Sequence, residues 1–306
     1  MKTKAVFSAL LLSLATVVGS TVAFAQDDEA VRGAFLTTRP KASSKPKTGP
    51  AQKPKRRRPK PVVTKPSNPN NDTSTKVITE PTTTSKVVTQ RMGLGMTLFM
   101  RDSNGMAVRT DPSREFKKGD RVRVLLETNA DGYLYIFNTT DGGEPVLIYP
   151  DPELDEAGNY IQAHVPFEIP SSTAAEERLR WFVFDQNAGT ERLHFVFTRE
   201  PLSGVPMEDD LISFCRDNTT KCPWRPSAGL WSQLQAEVKE PTQVTKPQGA
   251  GKSQTDAESQ AATRGIGLNR DDPEPSLVML TTSTDKKVLV ATLDLIHIAV
   301  AAKTDE

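Results

Sequence analysis

The chain has 306 residues, with 39 Lys and Arg against 38 Asp and Glu, so its formal net charge is +1. That average hides an uneven placement: between Arg39 and Lys65 there are many cations and no acid, and the rest of the chain is correspondingly acidic. Two cysteines and three histidines, with no second ligand pair near the cysteines, exclude a cysteine-based zinc site.

The N-terminus has the three parts of a secretory signal. Lys2 and Lys4 are the positive region, Ala5 to about Val18 is apolar, and Ala23-Phe24-Ala25 supplies small residues for cleavage before Gln26. An uncleaved anchor is the alternative, but the run is shorter than the ~20 residues a span needs. No Cys lies near residue 25, so a lipoprotein is not expected, and the protein is predicted to be periplasmic or secreted. Nucleotide cofactors are scarce there. Phosphoryl and hydride transfer therefore lose weight, and no cofactor is expected.

Residues 26–91 read as a disordered tether. Proline removes backbone donors, like charges repel, and little apolar surface is available to offset ordering entropy. The cations Lys53, Lys55, Arg56, Arg57, Arg58 and Lys60 are the candidate polyanion-binding residues. Export points them at phospholipid head groups, lipopolysaccharide or wall polymers, not at nucleic acid; a purely solubilising spacer is the alternative.

Residues 92–202 are strand-dense. Short apolar runs recur about every ten residues, split by Gly, Pro, Asn and Asp. Asn104-Gly105 signals a hairpin. Arg121 to Thr128 alternates, with Val122, Val124 and Leu126 on one face and Arg121, Arg123 and Glu127 on the other. Tyr133 to Phe137 is apolar on both faces, as a central strand is, and Trp181, Phe182, Phe184, Phe195 and Phe197 supply core bulk. The fold class predicted is all-β, an antiparallel sandwich or barrel-like domain with a disordered basic tether and a loop-rich insertion.

Residues 203–275 form that insertion, with short helices expected around Glu208–Phe214 and Leu230–Val238 and a mobile loop from Glu240 to Ala262. Cys215 and Cys222, seven positions apart in an exported chain, are predicted to form a disulfide. Residues 276–306 return as a C-terminal hairpin and tail, with the hairpin packing on the sandwich; about thirty residues are too few for a core of their own.

Other constellations carry less. Gly251-Lys252-Ser253 lacks the upstream glycine and the strand of a phosphate-binding loop, and Gly93-Leu-Gly95 lacks the third glycine of a dinucleotide fingerprint. Asp151, Glu153, Asp155 and Glu156 alternate but fail the EF-hand pattern, so a solvated turn is expected and no metal is assigned. His164, His194 and His297 stand in no hydrolase motif, and Glu168, Asp185 and Glu191 cannot be placed relative to one another.

Several stretches resemble the bacterial family DUF4384, a domain of unknown function. They are Phe116-Lys-Lys-Gly-Asp120, Asn129-Ala-Asp-Gly-Tyr-Leu-Tyr-Ile-Phe137, Leu147-Ile-Tyr-Pro150, Thr190-Glu-Arg-Leu193 and Arg199-Glu-Pro201. The resemblance runs from about Gly93 to Leu202. It implies an envelope or secreted module of bacterial origin and supplies no catalytic residue. The expected function is a non-enzymatic binding or structural module of the envelope. Its expected partners are an anionic polymer or membrane surface, or another protein; the alternative is a secreted hydrolase with an Asp/Glu/His site on the sandwich.

Overall fold

A computed structural model describes residues 23–42, 90–151, 158–238 and 242–299. In chain order the elements are α1 (Ala23–Leu36), β1 (Gly93–Arg101), β2 (Ala107–Arg109), β3 (Glu115–Lys117), β4 (Arg121–Thr128), β5 (Gly132–Thr140) and β6 (Val146–Tyr149). There follow β7 (Tyr160–Ile161), β8 (Phe167–Ile169), β9 (Phe182–Val183) and β10 (Gly189–Thr198). The last are α2 (Asp209–Asp217), α3 (Ala228–Val238), β11 (Thr242–Val244), α4 (Asp256–Arg264), β12 (Leu277–Thr281) and β13 (Val288–Ile298).

The strands make two sheets facing each other, not a closed barrel. The first runs β11-β12-β1-β4-β8, with β2 on β1 and β9 on β4; the second runs β3-β13-β10-β5-β6, with β7 on β5. The pairs are antiparallel except β13 with β3. Alternation along each strand decides what lies between the sheets. From β4 these are Val122, Val124 and Leu126, as the sequence predicts, and from β1 Leu94, Met96 and Leu98. Leu134 and Ile136 of β5 meet them with Phe195 and Phe197 of β10 and Leu289 and Ala291 of β13.

Both outer faces are also covered. On the second sheet, Tyr135, Phe137, Val196 and Val290 lie under Val205, Leu211 of α2 and Leu234 of α3, with Trp224 and Trp231 packed against them. This is why β5 is apolar on both faces. The Cys215–Cys222 disulfide, with Cα atoms 5.0 Å apart, closes the loop after α2.

Four expectations need correction. The tether does not begin at residue 26: α1 and the turn after it, through Arg39, pack on the first sheet, because Val31 and Phe35 stand one helical turn apart and both are buried. Residues 43–89, with all six candidate tether cations, lie outside the described residues. The stretch 242–262 is not a loose loop. It contains β11, which extends the first sheet, and α4, whose Thr255 and Glu258 form a capping box. The C-terminal strands are not a hairpin: β12 pairs with β1 and β11 in one sheet, β13 with β10 and β3 in the other, so residues 282–287 cross between sheets. Trp181 is buried as expected, but with Phe99 and Leu125 on the outer side of the first sheet beside Ala262, not between the sheets.

Candidate functional site

The outer face of the first sheet holds the densest chemistry. On β1 the residues pointing outward begin with Gly93 and Gly95. Their neighbours across the strands are Leu280 and Val278 on one side, and on the other Glu127, opposite Gly95, and Asn129. Phe35 lies over the two glycines. A Cβ on Gly93 would stand 2.8 Å from its ring, and one on Gly95 3.1 Å from it and 2.7 Å from Pro275. The Gly-Leu-Gly signature is therefore a slot for a side chain of α1, which requires residues without a Cβ.

Two arginines pin the same segment. Arg32 donates to the carbonyls of Lys246, Pro275 and Ser276 at 2.5, 2.9 and 2.8 Å. Arg39 is fully buried and grips Glu127 with two parallel bonds, Nε–H to Oε1 at 2.8 Å and Nη2–H to Oε2 at 2.6 Å. Its remaining donors reach the carbonyls of Asn269, Asp272 and Pro273. In return Arg270 donates to the carbonyls of Thr37 and Arg39.

His164 completes the cluster. Its backbone is left-handed, φ 59°, and is held by a bond from its N–H to Thr128 O and one from Leu268 N–H to its carbonyl. Nδ1 lies 2.7 Å from Glu127 Oε1 and Nε2 2.8 Å from Thr38 Oγ1. Hydroxyl, imidazole and carboxylate thus stand in the order of a nucleophile relay. Two contacts argue against that role: the Thr38 hydroxyl donates to Phe35 O at 2.5 Å, and Arg39 occupies both Glu127 oxygens. The arrangement is a clasp between the turn after α1 and β4. Burial alone would push the Glu127 carboxyl up; the hydrogen bonds and charges of His164 and Arg39 outweigh it and hold it below the usual carboxylate range.

Two more buried pairs stand along this face. Arg109 Nη2 lies 2.5 Å from Glu258 Oε1, and Arg123 Nε 3.5 Å from Glu168 Oε1, its guanidinium 4.3 Å from the Trp181 ring centre. A cavity of about 420 Å³ opens beside the first pair, lined by Arg109, Gln248, Lys252, Ser253, Thr255 and Glu274 with nearby glycine and prolines. Gly251-Lys252-Ser253 therefore does line a cavity, but its surroundings are those of a β-bridge partner to β2, not of a strand-to-helix phosphate loop.

The remaining candidates are not brought together. His194 lies on the outer face of the second sheet, its ring 4.8 Å from Trp231 and its Nε2 3.3 Å from Thr139 Oγ1. Burial, and then neighbouring Arg192, push its pKa down to about 4. His297 packs on Phe184 with Nδ1 4.0 Å from Asp185 Oδ1, while Asp185 accepts two bonds from Asn187. Glu191 accepts from Asn138 and Thr140, and Glu168, on the other sheet, from Gln254. Of the acidic loop only Asp151 is described; Glu153, Asp155 and Glu156 lie outside. Among the described residues no cluster of three or more His, Cys, Asp or Glu could hold a metal ion. No described helix is long and apolar enough to cross a membrane.

What sequence reasoning misses is α1 and its three anchors. The available signal was Val31, Arg32 and Phe35 at helical spacing, set between a signal-like run and a Pro-rich tract.

Fold and site together define a two-sheet β-sandwich whose outer faces carry segments of its own chain, with Arg39, Arg109 and Arg123 paired to buried glutamates and Arg32 bonded to carbonyls. Residues 115–201, from β3 to just past β10, match the family described as Domain of unknown function (DUF4384). No curated protein and no solved structure matches the chain.

Proposed function

We propose that this protein is an exported, non-enzymatic binding or structural module of the bacterial envelope, and that its basic tract engages anionic surfaces. The observation that carries the proposal is the fate of the charges in the folded body. Buried Arg39, Arg109 and Arg123 each face a glutamate within the fold, and the cavity beside Arg109 is lined by two cations, hydroxyls and one carboxylate. The rival reading, a secreted hydrolase with an Asp/Glu/His site, would place its chemistry on the sandwich instead. The unbalanced cations of the sequence are those of the stretch Lys41 to Lys65. Near an anionic membrane each contributes about 1 kcal/mol, decaying over a Debye length of ~8 Å at physiological salt. Several together suffice for reversible binding without a pocket.

The test is co-sedimentation with phosphatidylglycerol vesicles, and with isolated wall, across a salt series. Deleting the N-terminus is unsuitable because it removes α1. The comparison is therefore the full chain against a variant with Lys53, Lys55, Arg56, Arg57, Arg58 and Lys60 all replaced by Gln. Binding should fall steeply with salt and be lost in the variant while its melting temperature is kept. Equal binding by the variant would move recognition onto the sandwich.

A further inference from the structure

We infer that the slot on the outer face of the first sheet is a peptide-docking groove, and that residues 28–42 are its resident, separable ligand. The groove has the character of a recognition site. Its floor is the pair Gly93 and Gly95, which admits one aromatic ring, Phe35, and no larger floor residue. Its polar lining toward the segment's arginines is acceptor-only: the Glu127 carboxylate and the carbonyls of Lys246, Asn269, Asp272, Pro273, Pro275 and Ser276. Arginine carries five donors, which this array of acceptors matches, while Arg270 and the Lys246 N–H donate back to the segment at Thr37 O, Arg39 O and Asp28 Oδ2.

The chemistry that fits is a short helix with Val and Arg adjacent, Phe one turn on, and a second Arg just past the helix end. Residues 28–42 have that pattern in Val31, Arg32, Phe35 and Arg39. The segment belongs to neither sheet; side-chain insertion and arginine-to-carbonyl bonds hold it. Its covalent link to β1 is the stretch 43–89, so a cut there leaves the segment and the groove joined by these contacts.

The test uses the full chain with a site-specific protease sequence inserted between Asn70 and Asn71. After cutting, the N-terminal piece should co-elute with the body in size exclusion and appear with it in native mass spectrometry. A fluorescent peptide spanning residues 26–42 should then exchange into the cut protein, saturably, as read by anisotropy. Peptides carrying Phe35→Ala or Arg39→Ala should bind the same wild-type body roughly a hundredfold more weakly or worse. Using variant peptides leaves the folding of the body untouched. Release of the piece from a body that keeps its near-ultraviolet spectrum overturns the inference. Retention without any entry of labelled peptide also overturns it, because the segment is then a fixed part of the core. Equal binding of the variant peptides refutes the recognition pattern.

Discussion

Glu127 has almost no contact with water, yet its carboxyl is held below the usual carboxylate range by His164 and Arg39. A depressed folded pKa means the unfolded chain binds more protons across the interval between the two values, so stability rises with pH there. The contribution of Glu127 is thus complete above the ordinary carboxylate pKa and is lost as the pH falls through its folded value. Glu127→Gln should lower stability at pH 7 by about 3–5 kcal/mol, the usual cost of orphaning one member of a buried pair. The gap from wild type, read from urea midpoints, should close as the solution is made strongly acidic. His194 acts in a different window. With a folded pKa near 4 against an ordinary 6.5, it stays neutral while the unfolded chain protonates. Acidification from 6.5 to 4 should therefore destabilise the protein by on the order of 3 kcal/mol through this residue. His194→Leu should flatten the stability profile across that interval, and an unchanged slope would assign it to other groups.

Elements differ in how far the sequence declares them. β4 and β5 are legible because a strand buried between layers repeats its apolar residues every second position or continuously, and Val122 to Leu126 and Tyr133 to Phe137 do so. α1 and α4 are not, because among the described residues each buries few apolar side chains and is held by polar contacts to distant segments. Arg39 to Glu127 and Arg109 to Glu258 have no local signature. Thr255-x-x-Glu258 is a visible capping box, but its polar surroundings read as loop. The clasp was hidden for the same reason: Thr38, Glu127 and His164 come from three separate parts of the chain. The disulfide is legible from the number of cysteines, their spacing and the expected export. Its chain-entropy contribution for so short a loop is ~2.5 kcal/mol. Replacing Cys215 and Cys222 by Ser should cost about that much. It should also raise hydrogen exchange in residues 203–238 well above that in β1 and β4. Uniform exchange across the body would show that the bond does not control the cap over the second sheet.

At the scale of the whole molecule, the family-matched segment is not a self-sufficient fold. It contains β4 and β10, but their neighbours β1 and β13 lie outside it, as does β12, and those strands bring Leu94, Met96, Met279 and Leu289 to the core. Residues 115–201 expressed alone should lack the dispersed amide spectrum of the full chain, and a cooperative melt from that piece would contradict this account. The placement of α1 also bounds how far the basic tract can reach from the sandwich. Arg39 is fixed to Glu127 and Gln90 donates to Asn129 O, so both ends of residues 43–89 are rooted beside the same end of β4. A chain rooted at both ends is a bight, not a leash, and its greatest reach is half its contour. Lys60 can stand no farther than about 60 Å from Ala42 at 3.3–3.6 Å per residue, and Lys53 is closer still. A surface that captured these cations would therefore hold the β4 end of the sandwich within that span.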